Sequence, residues 1–174
     1  MISLQLIKQE HQHKFLSAVA RSRELHYPWV APANDPHLFT AHLRKYESDN
    51  NISLLAIDDD GELIACINLN EIVRGVFQSA YLGYYAFAPM AGRGLMYQAM
   101  QQVINYAFNE LGLHRLEANI QPQNHRSKHL ITALGFRLEG YSPRYLRIGN
   151  QWKDHERFAM TIEDRPASNY EPAD

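Results

Sequence analysis

The chain of 174 residues has one cysteine, Cys66, so no intramolecular disulfide can staple it. That cysteine lies in the apolar run LIACINLN, where a small core residue is its expected role. No apolar run is long enough to cross a bilayer, and the first residues lack the basic-then-apolar pattern of a signal peptide. The cytoplasm is the expected compartment, with no membrane partner. Neither sign of charge dominates: 17 Lys and Arg against 19 Asp and Glu leave a formal net charge of −2, which argues against a broad nucleic-acid surface. Repeats and internal linkers are also missing. What is present, 45% hydrophobic and 21% charged residues, is the make-up of a globular domain with a real core. One domain is expected over residues 1–163, followed by the polar tail DRPASNYEPAD (164–174), which has little to bury.

Residues 2–7 alternate as a strand, and 10–24 and 36–47 have helical spacing. Between those helices the segment HYPWVAPANDP holds three prolines, which forbid helix through the gap. ISLLAI (52–57) and ELIACINLN (62–70) pair as a hairpin across DDDG, with Gly61 at positive φ. A reversal at Arg74-Gly75 leads to a strand over 77–87. Leu95, Met96, Ala99, Met100, Val103, Ile104, Ala107, Phe108 and Leu111 then share one stripe of a long amphipathic helix, which Gly112 stops. A strand over 115–120, a helix opening near Asn124, and strands over 136–148 and 151–163 turning at Gly149-Asn150 follow. The order is β-αα-βββ-α-β-α-ββ, an α/β (α+β) mixed sheet with helices on both faces.

The most informative stretch is YAFAPMAGRGLM (85–96): a strand, a glycine turn, and a helix with no side chain crowding its first turn. The free N–H groups of a helix start, backed by the macrodipole, make an anion site. Gly92 and Gly94 let a phosphate approach the backbone, and Arg93 adds a fork-shaped cation. The expected ligand is a phosphorylated small molecule; the competing reading is a plain strand-to-helix turn. No Lys-Ser or Lys-Thr follows, which excludes a Walker loop, and the third glycine of a Rossmann turn is missing.

A second constellation, QPQNHRSKHLITALGFRLEGY, places Asn124 and Ser127 at the start of a helix and Gly135-Phe136 at its end. Each has an ordinary structural reading, Asn124 as an N-cap and Ser127 as a helix-start hydroxyl. His125 and His129 are spaced to share a metal, but no third ligand has convincing spacing, and no metal is expected. Arg126 and Lys128 have two readings, cations for a ligand's phosphates or simply a solvated helix face.

Together the two segments, strand–GRG–helix–strand–N-x-x-S–helix–GF-strand, resemble the Gcn5-related N-acetyltransferase (GNAT) superfamily. AGRGLMYQAM, NIQPQNHRSKHLITALGFRLEGY, IVRGVFQSAYLGYYAF and YLRIGNQWKDHERFAM are similar to its bacterial ribosomal-protein-alanine N-acetyltransferase branch. The likeness is strong over residues 60–163 and weak before, where PWV at 28–30 is the main shared feature. It implies a mainly antiparallel seven-stranded sheet, acetyl-coenzyme A as co-substrate, and a monomer or homodimer. The family's pyrophosphate pattern Gln/Arg-x-x-Gly-x-Gly/Ala falls on Ala91–Met96, so Ala91 and Met96 depart from it. Backbone N–H donors do not depend on side-chain identity, so cofactor binding is expected to survive.

By this resemblance Gly92, Arg93, Gly94, Leu95 and Met96 hold the pyrophosphate, and Ala86, Phe87, Ala88 and Asn124 hold the pantetheine arm. An N–H in the 86–88 segment polarises the thioester carbonyl, a donor of a kind whose removal typically costs about 3 kcal/mol. Ser127 lies near the sulfur and relays a proton to the thiolate. Tyr145, in the strands bordering the acceptor cleft, is a further proton donor, and Glu71 is the acidic candidate for a base. Trp29, Tyr85 and Glu139 are expected to contact the acceptor, which is a protein N-terminal α-amine or a small amine. A coenzyme-A-binding module without turnover is the alternative outside catalysis.

Overall fold

The computed structural model of the chain describes residues 1–165. Its seven strands are β1 (Ser3–Leu6), β2 (Ile52–Ile57), β3 (Leu63–Val73), β4 (Ser79–Ala86), β5 (Arg115–Ile120), β6 (Arg137–Ile148) and β7 (Gln151–Thr161). They form one sheet in the order β1-β2-β3-β4-β5-β7-β6. Only β4 and β5 run parallel; every other neighbouring pair is antiparallel. A parallel pair needs a crossover, and the long helix between β4 and β5 supplies it. The helices are α1 (Gln12–Arg21), α2 (Arg23–His26), α3 (Pro36–Lys45), α4 (Leu95–Asn105) and α5 (His125–Ala133). This is the GNAT fold expected from the sequence, with the order of elements as read.

Alternation along the strands divides the interior into two cores. On one face Leu54, Ile67, Leu69, Leu116 and Ala118 meet Met100 and Val103 of α4 and Ile131 of α5. On the other, Phe15 and Val19 of α1 and Phe39 of α3 pack on Leu55, Leu63, Cys66 and Phe87. Phe15 is wedged between Phe39 (ring centroids 5.2 Å apart) and Phe87 (5.7 Å). Cys66 is fully buried there, as its apolar context indicated.

Three local departures from the expected pattern have identifiable causes. The first long helix breaks at Ser22, whose hydroxyl donates back to the Ala18 carbonyl at 2.6 Å, a bond that competes with continued helix. α4 ends at Asn105 and continues as a π turn over Tyr106–Glu110, before Gly112 at φ +65° closes it. Asp164 and Arg165, read as the start of a loose tail, are engaged. Asp164 accepts from the Thr161 N–H at 2.7 Å, and the Arg165 guanidinium donates to Asn109 Oδ1 at 2.7 Å and Asn105 Oδ1 at 2.8 Å. The remainder of that tail, 166–174, lies outside the described residues.

Candidate active site

β4 and β5 pair only from Ser79↔Arg115 to Leu82↔Ala118. Beyond that point β4 stays with β3 as far as Ala65↔Ala86, while β5 follows β7 to Ile120↔Glu156, and the two strands part. The Phe87 N–H donates to the Ile64 carbonyl at 2.8 Å, so the odd-numbered residues of β4 bond β3 and the even ones turn toward β5. Past Leu82, this parity leaves the Tyr84 N–H and C=O and the Ala86 N–H facing the gap. Interior backbone groups need partners, and an extended ligand with amide groups can supply them as an added strand would. At the end of β5, Asn119 Oδ1 is also buried without a hydrogen-bond partner.

Two side chains four residues apart hold the end of β4 away from β5. Ser22 Oγ accepts from the Ala88 N–H at 2.9 Å, and His26 Nε2 donates to the Ala86 carbonyl at 2.8 Å. A carbonyl only accepts, so Nε2 carries the proton; burial lowers the His26 pKa and keeps the ring neutral. These bonds narrow the expectation that Ala86, Phe87 and Ala88 hold the pantetheine arm and that one of their N–H groups meets the thioester carbonyl. The Phe87 and Ala88 N–H groups are already engaged and the Phe87 side chain is a fully buried core anchor, so the Ala86 N–H is the donor left for a ligand.

At the glycine turn Gly92 and Gly94 both adopt left-handed backbone, with φ of +83° and +75°. Gly94 is the N-cap of α4, and no side chain caps the first turn, which leaves its N–H groups for an anion. A Cβ on Gly94 would meet nothing within 4 Å, whereas one on Gly92 would lie 3.6 Å from Arg126 Nη2. Arg126, at the start of α5, therefore joins Arg93 as a cation at this turn. Leu95 and Met96 direct their side chains to the larger core, which is why a large residue at 96 does not obstruct the turn.

Asn124 caps α5 by accepting from the Ser127 N–H at 3.1 Å. Ser127 Oγ lies 2.7 Å from the Tyr84 hydroxyl, and burial pushes that phenol up to about 12, so it stays protonated. Both line a cleft of about 550 Å³ that passes through the gap to the other face of the sheet, where Trp29, Glu71, Tyr145 and His155 line it. Glu71 occupies an irregularity of β3 at φ +51°, its N–H donating to Asn51 Oδ1 at 3.2 Å, and its side chain is exposed. The Tyr145 ring stands 6.3 Å from that of His155.

Two expected contacts are not brought to the cleft. Strand alternation turns Tyr84, not Tyr85, toward α5; Tyr85 packs against His26 (5.2 Å) and Phe87 (5.6 Å), and burial drives its phenol far up. Glu139 belongs to an ion cluster at the opposite end of β5, with both Arg115 and Arg137, and Arg115 holds its carboxyl below the usual range. Ser22, His26, Tyr84 and His155 are site residues that sequence reasoning passed over. The i, i+4 spacing of Ser22 and His26 and the strand parity at Tyr84 were the available signals. Among the described residues no group of three or more His, Cys, Asp or Glu side chains is arranged to hold a metal ion.

A family model, the acetyltransferase (GNAT) domain, matches residues 2–137, and the chain belongs to this family of N-acetyltransferases, with acetyl-coenzyme A as co-substrate. Ribosomal protein uS5-alanine N-acetyltransferase of Escherichia coli (strain K12) is 29% identical over 170 residues, 92% of this chain and 88% of that protein. Mycobacterium smegmatis RimJ, solved in complex with CoA-disulfide, shares the fold with a TM-score of 0.85 at 23% identity, over 97% of this chain and 85% of that one. Spermidine N-acetyltransferase from Vibrio cholerae, in complex with CoA and spermine, does so with a TM-score of 0.78 at 19% identity, over 92% and 95%. No helix among the described residues is long and apolar enough to cross a membrane.

Proposed function

We propose that the chain transfers acetyl from acetyl-coenzyme A to the N-terminal α-amine of a protein, with an alanine-initiated ribosomal protein in the cytoplasm as acceptor. The observation that carries this reading is the charge of the cleft. Among the described residues Glu71 is its only carboxylate, and Lys45 lines it too. A polyamine keeps further ammonium groups that need several carboxylates, whereas a peptide N-terminus brings one amine and a chain of amides. The resemblance to the uS5-alanine enzyme supports the same choice.

The pyrophosphate lies on Gly92–Met96 with Arg93 and Arg126, and the pantetheine arm runs along Tyr84–Ala86 past Asn124. The Ala86 N–H faces the thioester carbonyl. Ser127 hands its hydroxyl proton to the departing thiolate while accepting from Tyr84, which burial keeps protonated. Trp29 and Tyr145 wall the acceptor, and Glu71 draws the cationic amine to the cleft mouth.

The arithmetic of the amine fits this equipment. An α-amine with a pKa of about 7.7–8.0 is already roughly one-tenth neutral at pH 7, whereas a lysine at about 10.4 needs about 4.6 kcal/mol to deprotonate there. Release of free thiol with an alanine-initiated peptide and with spermidine tests the proposal. The peptide is expected to show a kcat/KM at least tenfold higher; turnover of spermidine with none of the peptide refutes the α-amine reading in favour of a small-amine enzyme.

A further inference from the structure

We infer that His155 is the general base: its Nε2 takes the proton that the attacking amine nitrogen sheds as it bonds to the acetyl carbon. This rests on the function proposed above. His155 is 3% exposed and lies in β7, where its ring lines the acceptor side of the cleft beside Tyr145. Its Nδ1 is 2.9 Å from the Lys153 carbonyl oxygen. That oxygen can only accept, so Nδ1 carries the hydrogen and Nε2 of the neutral ring holds the bare lone pair. Among the described residues Nε2 has no hydrogen-bond partner. A fixed tautomer with its basic nitrogen unpaired and facing a cleft is the arrangement a proton acceptor requires.

The groups around the ring leave it in that state. Burial lowers the His155 pKa below the ordinary 6.5, against weaker upward pulls from the Lys153 carbonyl and Asp154. Lys153 and Arg157 share its face of β7. Asp154 and Glu156, on the other face, are engaged by the Arg144 N–H at 2.7 Å and by Lys128 at 3.1 Å. Tyr145 of β6 adjoins it, and Tyr81 of β4, Glu71 of β3 and Lys45 of α3 line the same cleft. Glu71 is exposed, which suits it to attracting an ammonium rather than to removing a proton.

The step balances. The nitrogen–carbon bond forms and the carbon–sulfur bond breaks; the nitrogen's proton goes to Nε2 and on to solvent through the open cleft. The thiolate takes its proton from Ser127 Oγ, Ser127 takes one from the Tyr84 hydroxyl, and Tyr84 regains its proton from solvent through the cleft.

Wild-type turnover of the alanine-initiated peptide is measured first and judges the proposed function by itself. His155→Gln and His155→Ala are then compared on that peptide, or on whichever amine the wild type acetylates; a wild type inactive on every amine overturns both proposals. With the peptide, kcat should fall on the order of a hundredfold while KM and coenzyme A affinity hold. Wild-type log kcat/KM should rise with a slope near 2 below the lowered pKa of the His155 ring, where ring and amine must both lose a proton, and near 1 from there to about pH 8, where only the amine still titrates. In His155→Gln the slope should be near 1 throughout, and free imidazole should partly restore His155→Ala. Nitrogen NMR of the ligand-free protein at pH 7 should show the neutral Nδ1–H tautomer. Variants that keep kcat and the double slope, or a spectrum showing Nε2–H or a charged ring at pH 7, overturn the inference.

Discussion

Gly92 and Gly94 share left-handed backbone, yet only Gly94 has open space where a side chain would stand. That space is where a phosphate must come to reach the N–H groups of α4. Gly94→Val is therefore expected to cut acetyl-coenzyme A affinity at least tenfold by calorimetry, with strain of about 1–3 kcal/mol from a β-branched residue at positive φ. An unchanged dissociation constant in the folded variant would place the pyrophosphate elsewhere. Both glycines were legible in the sequence because their role is backbone conformation, which leaves a mark in residue type. Tyr84 and His155 left weaker marks. A tyrosine pair at 84 and 85 has one member on each face, and the sequence does not say which face meets α5 without the pairing of Phe87 with Ile64. His155 gains its meaning from a bond to a backbone carbonyl two residues away, which no spacing rule encodes.

At the scale of elements, the decisive feature is the parting of β4 and β5 after Leu82↔Ala118. Parallel strands left to themselves would go on pairing, so something must hold them apart. Ser22 and His26 do this from the α1–α2 side through the Ala88 N–H and the Ala86 carbonyl. Ser22→Ala leaves the Ala88 N–H just past β4, and His26→Ala the Ala86 carbonyl at its end, without a partner, a loss of about 1–3 kcal/mol each. Thermal scans should show both variants melting lower. Coenzyme A binding should weaken as well, unlike in Phe39→Leu, a change in the smaller core that destabilises without touching the gap. If the two pin variants lose stability but keep full cofactor affinity, the pins are structural only. The elements themselves were readable from periodicity and from proline and glycine punctuation. The gap was not, because it depends on where pairing stops, a tertiary outcome of contacts between residues 22 and 88 and between 26 and 86.

Across the whole molecule the sheet separates two kinds of work. The face toward α4 and α5 carries the glycine turn, Asn124 and the Ser127–Tyr84 pair, while the face toward α1 and α3 opens to Trp29, Glu71, Tyr145 and His155. The cofactor side was largely visible in the sequence, since its chemistry is concentrated in two contiguous segments. The acceptor side was not, because Trp29, Glu71, Tyr145 and His155 come from four separate places in the chain, and the misplacing of Tyr85 and Glu139 there follows from that dispersal. The cleft's single carboxylate among the described residues favours a single amine, and the N-terminal α-amine is the one that is partly neutral at physiological pH. The most direct measurement uses two peptides of one sequence, one with its α-amine blocked and the other with its lysine amine blocked. The lysine-blocked peptide should be acetylated, faster as pH rises through about 7 to 8, while the α-blocked peptide stays a poor acceptor throughout. Equal rates for the two peptides would contradict α-amine transfer and make the chain a lysine or small-amine acetyltransferase instead.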